Sequence, residues 1–317
     1  MQFSVTILGS NSALPTSHRN PTAQLLNVAE RFFLIDCGEG TQLQLRKNKI
    51  KFTRINHIFI SHLHGDHCFG LIGFISTLGL LQRSIPLTIY AHSDLERLLR
   101  PHLDYFCNDL PYEVIFVNID PSVSQVIYFD DKVQVKTIPL QHRVPTCGFL
   151  VEEISAEKWL DKNALKKYSI PIRDLDHIKH GANWTSLDGE VILNEELTIS
   201  AHTRRSYAFC SDTQYCPEMS NYIKDVTLLY HEATFLDELR DFAVKSTHST
   251  SLQAAQTALD TEAKALAIGH FSSRYRNVTP LLMEAQSIFP QTFEAKEGRT
   301  FFLHNSGDIS ISFEDII

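Results

Sequence analysis

A chain of 317 residues with 43% apolar and 21% charged side chains has material for a packed core, which excludes wholesale disorder and fits one large domain or two small ones. The formal charge of −8 excludes nucleic-acid binding through the overall field, so any such partner must meet a local basic surface. No apolar run reaches the roughly 20 residues that span a bilayer, so no membrane is expected. Six cysteines without a Cys-x-x-Cys pair, and a start that reads as a strand and not as a leader, point to a reducing cytoplasm.

In chain order, the first half alternates apolar strands with turn signals. Val5–Leu8 runs into Gly9-Ser10-Asn11-Ser12, Arg31–Ile35 into Asp36-Cys37-Gly38-Glu39-Gly40, and Ile58–Ile60 into Ser61-His62. Phe69–Leu81 is apolar with small residues and predicts a buried helix; Leu87–Ala91 predicts a strand, and Asp94–Phe106 a helix capped by Asp94. Glu152–Gly181 breaks this rhythm, with a helix expected over Ala156–Tyr168, stopped by Pro171, and a hairpin near Leu187–Ile192. On either side of that break the second half repeats the rhythm. Strands are expected at Val133–Ile138, Ser206–Cys210, Val226–Tyr230 and Ala265–Ile268, ending near His142, Asp212, His231-Glu232 and His270, with a helix at Ser251–Asp260. Strand, loop and helix twice over predict an α/β sandwich of two packed sheets with helices outside, as a single domain over 1–317.

The histidines, 15 in all, are the unusual count. His62-Leu63-His64-Gly65-Asp66-His67 follows a strand and places four metal-compatible side chains in six residues, with His62 and His64 expected on one side of a short turn and Asp66 and His67 on the other. Imidazole suits zinc, and a carboxylate suits a bridging place. His142, Asp212 and His270 each arrive at a later strand end, where a site at one edge of a sandwich would draw its remaining ligands. Taken singly, each is equally an ordinary strand-end histidine or a helix-capping aspartate. Taken together they give one metal to His62, His64 and His142, another to Asp66, His67 and His270, and Asp212 to both. Asp36 reads as hydrogen-bonding support for a ligand histidine, and Glu39 is open between that and loop geometry. Cys68 and Cys210 read as packing residues.

Gly9-Ser-Asn-Ser-Ala-Leu-Pro15, Asp36-Cys-Gly-Glu-Gly-Thr-Gln42, Ser61-His-Leu-His-Gly-Asp-His67, Ser211-Asp-Thr213, His231-Glu-Ala-Thr-Phe235, His248-Ser-Thr250 and Gly269-His-Phe-Ser-Ser-Arg-Tyr275 occur in order. In these motifs the chain resembles the ribonuclease Z (tRNase Z) family of the metallo-β-lactamase superfamily, over nearly its whole length. The first histidine motif marks the superfamily, and the pair beginning at His231 and His248 marks the family. The resemblance implies the metallo-β-lactamase αββα fold, two Zn(2+) per subunit, a homodimer, and endonucleolytic removal of the 3′ trailer from precursor tRNA. It implies that Asp66 orients the attacking water or takes its proton, and that His248, held by Glu232, protonates the departing oxygen. It also implies a tRNA-gripping arm, here about residues 152–196, with Lys158, Lys162, Lys166, Lys167, Arg173 and Lys179 as phosphate contacts. The usual Gly-Pro element of the arm is absent. A family loop, Pro-x-Lys-x-Arg-Asn, corresponds to Pro15–Asn20 with Ser17 in the lysine place, leaving Arg19 and Asn20; Arg274 beside His270 is a further substrate contact. The alternatives are a small-molecule phosphodiesterase or hydrolase of the same superfamily, and a non-catalytic RNA-binding subunit, against which eight retained chemical residues argue.

Overall fold

The computed structural model describes residues 2–154, 158–200 and 204–313. The chain lays down β1 (Phe3–Gly9), β2 (Ala23–Val28), β3 (Arg31–Ile35), α1 (Thr41–Lys47), β4 (Ile55–Phe59), α2 (Gly65–Cys68), α3 (Leu71–Leu80), β5 (Leu87–Ala91), α4 (Asp94–Phe106) and β6 (Val114–Asn118). It crosses to a second sheet with β7 (Val126–Phe129), β8 (Val133–Pro139) and β9 (Cys147–Glu153). An excursion follows: β10 (Lys158–Leu160), α5 (Lys162–Lys167), α6 (Leu175–Lys179), β11 (Trp184–Thr185), β12 (Val191–Ile192), α7 (Asn194–Leu197) and β13 (Thr198–Ser200). The second sheet resumes with β14 (Ser206–Cys210), β15 (Leu228–Glu232), α8 (Arg240–Ser246), α9 (Ser251–Asp260), β16 (Leu266–Gly269), α10 (Thr279–Ile288) and β17 (Thr292–Glu294), and β18 (Arg299–Leu303) and β19 (Ile309–Phe313) return to the first.

The first sheet has the order β19-β18-β1-β2-β3-β4-β5-β6 and the second β17-β16-β15-β14-β9-β8-β7. Side chains alternate across each strand, so every central strand feeds two cores. In β14, Tyr207 and Phe209 join Phe33, Phe59, Phe149 and Tyr230 between the sheets, whereas Ala208 and Cys210 face outward under α9 and α10. On the far side of the first sheet, Leu34 and Ile58 pack with Phe74, Ile75 and Leu99 of α3 and α4. Burial on both faces explains why these strands read as continuous apolar runs. The layers are helix, sheet, sheet, helix.

The strands β3–β4–β5–β6 are parallel, as are β14–β15–β16–β17. Parallel neighbours end on the same edge, and ligand sites gather beyond their carboxyl ends. That topology brings Asp36, His62, Asp212, Glu232 and His270 to one edge, although they span most of the chain.

The structure corrects three local expectations. The helix expected over Ala156–Tyr168 is shorter: residues 156 and 157 lie outside the described residues, Lys158–Leu160 pairs with β13, and α5 starts only at Lys162. Asp161 sets that start, its side chain accepting from Asn163 N at 2.8 Å. Asp94 is the first helical residue of α4, not its cap, which is Ser93. The second half of the first histidine motif is not an alternating turn: Gly65–Cys68 is helical, so Asp66 and His67 sit about a quarter-turn apart on one helix end.

The excursion packs on itself. Ala164, Ile178, Ile192 and Leu197 form a small separate core with Leu160, Tyr168 and Trp184 around it. Its base is narrow, because β9 and β14 pair directly, Glu152 opposite Ser206.

Candidate metal centre

Three of the residues that shape the site have left-handed backbone despite carrying side chains: Asp36 (φ 56°), Asp212 (φ 57°) and His270 (φ 57°). Each follows a strand and turns its side chain back over the sheet edge. Such a backbone costs about 1–2 kcal/mol per residue and persists only where surrounding contacts hold it. At Asp36 the contacts are visible. Its N–H donates to Phe59 O at 2.8 Å, and its carboxylate accepts from Ser61 N and Ser61 Oγ, both at 2.8 Å, and from His67 Nδ1 at 2.6 Å. Asp36 thus locks the end of β3 to the loop after β4 and fixes the ring of His67.

The same device recurs at the other rings. Ser61 Oγ lies 3.1 Å from His62 Nδ1, Thr247 O and Oγ1 each lie 2.9 Å from His142 Nδ1, and Thr234 Oγ1 lies 3.1 Å from His270 Nδ1. With Nδ1 engaged, Nε2 of His62, His67, His142 and His270 faces the centre. His64 differs, presenting Nδ1, which lies 2.9 Å from His62 Nε2 and 3.4 Å from His142 Nε2.

These atoms fall into two groups that meet at Asp212. Asp212 Oδ2 lies 3.6 Å from His62 Nε2 and 3.7 Å from His142 Nε2. Asp212 Oδ1 lies 3.2 Å from His67 Nε2 and 3.0 Å from His270 Nε2, and Asp66 Oδ2 lies 3.4 Å and 3.6 Å from the same two nitrogens. Zinc–nitrogen bonds of about 2.0–2.1 Å in a tetrahedron separate ligand atoms by roughly 3.3 Å, close to these spacings. Two further observations fit a cation. His67 Nε2 and His270 Nε2 are buried without a hydrogen-bond partner, a costly state that a metal removes. Burial disfavours a charged His67, yet Asp212, Asp36 and Asp66 together push its pKa well above the ordinary value, an excess of negative charge seeking a positive one. The donor set suits metal, with His62, His64, His142 and Asp212 in one group and Asp66, His67 and His270 in the other.

His248 is built differently. It comes within ligand distance of Asp212 and His270. Its Nδ1, however, donates to Glu232 Oε1 at 2.9 Å. Burial opposes its charge, but the Glu232 carboxylate overrides that and raises the pKa to about 9. The ion pair with Glu232 favours the protonated ring, the form that can give up a proton from Nε2. Glu232 is fully buried at the end of β15 and also accepts from Thr213 N at 2.7 Å, Ser249 N at 3.1 Å and Thr234 Oγ1 at 2.5 Å. One carboxylate therefore ties the loop of Asp212, the loop of His248 and the residue that holds His270.

A cavity of about 660 Å³ opens over Asp66, His142, Asp212, His248 and His270. Glu39 lines it as an exposed residue and does not support a ligand. Cys68 and Cys210 stand outside both donor groups. The guanidinium of Arg19 donates to Asn11 Oδ1 at 2.8 Å and Tyr275 O at 2.7 Å, clamping the loop before β2 to the loop after His270. Asn20 donates its N–H to Glu297 Oε1 at 2.9 Å. Neither lines the cavity. Arg274 lies over the rings of Phe235 and Phe242, which do. Lys162, Lys166, Lys167, Arg173 and Lys179 are exposed on the excursion; for Lys158 the side chain lies outside the description. Sequence reading missed Thr234 and Thr247, which orient ligand rings, and Arg143, which lines the cavity; its adjacency to His142 was the only available signal.

Residues 3–265 match the family model described as Anti-Pycsar protein Apyc1. The chain is 49% identical over 296 residues to a ribonuclease Z of Phocaeicola vulgatus, covering 93% of this chain and 96% of that protein. Its fold is similar to the crystal structure of the short form of human tRNase Z, with TM-score 0.65, 26% identity, and 94% and 98% of the two chains covered. It is also similar to a metallo-β-lactamase fold protein of Bacillus subtilis, with TM-score 0.66, 17% identity, and 95% and 99% covered.

Proposed function

The chain belongs to the ribonuclease Z family, and its residues 3–265 to the domain family described as Anti-Pycsar protein Apyc1; from that membership we propose that it removes the 3′ trailer from precursor tRNA with two zinc ions per subunit. It is a phosphodiester-hydrolysing endoribonuclease of the metallo-β-lactamase fold. The observation that carries the chemistry is Asp212, whose two oxygens face two separate donor groups.

His62, His64, His142 and Asp212 would hold one ion, and Asp66, His67, His270 and Asp212 the other. Zinc there supplies a lowered water pKa and charge stabilisation at a phosphoryl oxygen. The chain's own groups do the rest. Asp66 orients water and takes its proton as the water oxygen bonds to phosphorus. The bond from phosphorus to the 3′ oxygen breaks, and His248 gives that oxygen the proton on Nε2 while Glu232 holds Nδ1. The tRNA then ends in a 3′ hydroxyl and the trailer begins with a 5′ phosphate. The lysines and Arg173 of the excursion grip the tRNA body by its phosphates.

Among the described residues no helix is long and apolar enough to cross a membrane. All six cysteines are free, which supports the cytoplasm as its place. A homodimer is proposed from the family and is tested by sedimentation.

The deciding experiment incubates zinc-loaded protein with a precursor tRNA and maps both new ends. A single cut at the trailer junction, leaving these two termini, is expected. Hydrolysis of small diesters with an intact precursor would favour the small-molecule reading.

A further inference from the structure

A second cavity, of about 960 Å³, lies beside the first and nothing in the mechanism above uses it. It is formed where three connections meet: the β5–α4 junction at His92-Ser93, the end of β6 from Asn118 to Ser122, and the β8–β9 connection from Leu140 to Thr146. His142 and Arg143 line both cavities, so these two residues are the ridge between them.

Arg143 is the only arginine or lysine lining either cavity among the described residues. It is exposed and has no ion pair or hydrogen bond within the described chain. An unengaged guanidinium beside a carboxylate-rich centre, in a protein of net charge −8, is a place for an external anion. Beyond it the groove changes character. Ser93 and Asn118 offer uncharged donors and acceptors from exposed positions, and Pro121, Val144 and Pro145 offer apolar surface. Its one carboxylate, Asp120, is engaged by Ser122 N at 2.9 Å and Ser122 Oγ at 2.6 Å. One cation at the entrance, then neutral hydrogen-bonding and apolar walls, match a strand of unpaired nucleotides better than a helix, whose two phosphate rails need cations along both sides.

We infer that this groove receives the single-stranded RNA that continues past the scissile phosphate, with Arg143 holding the first phosphate after it. The inference rests on the proposed endonuclease reading. His248 protonates the oxygen of the retained strand and lines only the first cavity, so the released strand leaves on the other side, across the His142–Arg143 ridge. The ligand is therefore the 3′ strand that departs with the new 5′ phosphate.

The test compares the zinc-loaded wild type with Arg143→Gln, Arg143→Lys and Asn118→Trp, the last filling the groove from an exposed position at the end of β6. Precursors with one-nucleotide and six-nucleotide trailers give kcat/KM, and a labelled six-nucleotide RNA gives affinity by fluorescence anisotropy. The ratio of long-trailer to short-trailer kcat/KM is expected to fall about tenfold in Arg143→Gln and Asn118→Trp, mainly through KM, with Arg143→Lys between. The salt slope of oligonucleotide binding should fall by about one in Arg143→Gln and stay in Asn118→Trp. Equal losses for both trailer lengths, or oligonucleotide binding indifferent to both positions, would overturn the groove. If the wild type cuts no precursor tRNA, the functional reading fails by itself, and Arg143- and Asn118-dependent oligonucleotide binding would still support the groove.

Discussion

Glu232 Oε1 accepts the Nδ1–H of His248 at 2.9 Å, from a carboxylate with no exposed surface. A carboxylate only accepts, so the proton on Nδ1 is fixed and Nε2 is left for the cavity. His248→Ala should therefore keep its metal and lose about 10²–10⁴-fold in RNA cleavage, with a much smaller loss on bis(p-nitrophenyl) phosphate, whose leaving group needs no proton. A general acid works below its pKa and fails above it. Since Glu232 raises that pKa, Glu232→Gln should move the alkaline limb of kcat to lower pH. Equal losses on both substrates, or an unmoved limb, would remove the role.

Asp36→Asn tests the support of His67. Asparagine tolerates the left-handed backbone that alanine would strain, so the fold is expected to survive. The amide no longer offers a carboxylate to His67 Nδ1. Metal affinity should fall about 10–100-fold, read by competition with a chromophoric chelator. Unchanged affinity would mean that the ring is held by packing alone.

His57 lies on β4, among the rings of Phe33, Tyr90 and Tyr128, away from the metal cluster. Burial, with Arg83 adding to it, lowers its pKa to about 4. Between that value and the ordinary 6.5, the unfolded chain binds a proton that the folded chain refuses. Stability from this group is thus full above pH 6.5 and is lost as pH falls towards 4. The loss is on the order of 1–2 kcal/mol after allowing for screening at this half-buried place. His57→Gln should flatten the decline of urea midpoint over that range, and an unchanged slope would contradict the assignment.

Removing the excursion should separate tRNA recognition from chemistry. Cutting only part of it would break β10 from β13, so the clean deletion runs from 155 to 203. Glu153 N already bonds Arg205 O at 3.0 Å, and a short Gly/Ser linker can close the gap. Precursor cleavage should fall sharply, with a shallower salt dependence of tRNA binding, while small-diester hydrolysis persists. Loss of both in a folded, metal-loaded protein would show that the excursion positions the centre instead.

Much of this centre was legible in the sequence because ligands sit where strands end, and strands of alternating or continuous apolar residues announce themselves. Arg31–Ile35, Ser206–Cys210 and Ser251–Asp260 have the same bounds in both readings. The strand before Glu232 was placed two residues early, because His231 and Glu232 are polar and yet fully buried within it. What the sequence concealed is tertiary. Thr247 orients His142 from 105 residues away, and only the fold brings them together. Arg19 was singled out by the family loop it matches, and its bonds to Asn11 and to the carbonyl of Tyr275 could not be read from the sequence. The short α5 was hidden because Asp161 caps a helix instead of continuing one, and Lys158–Leu160 before it pairs as a strand with β13.

The central claim is that Asp212 joins two metal ions, and metal stoichiometry tests it most directly. Purified wild-type protein, analysed for zinc per chain and by anomalous diffraction at the zinc edge, should show two peaks, with Asp212 ligating each through a different oxygen. Asp212→Ala should lose zinc from both positions and with it RNA cleavage. A single peak in the wild type, or an Asp212→Ala protein that keeps two zinc ions and normal turnover, would contradict the account.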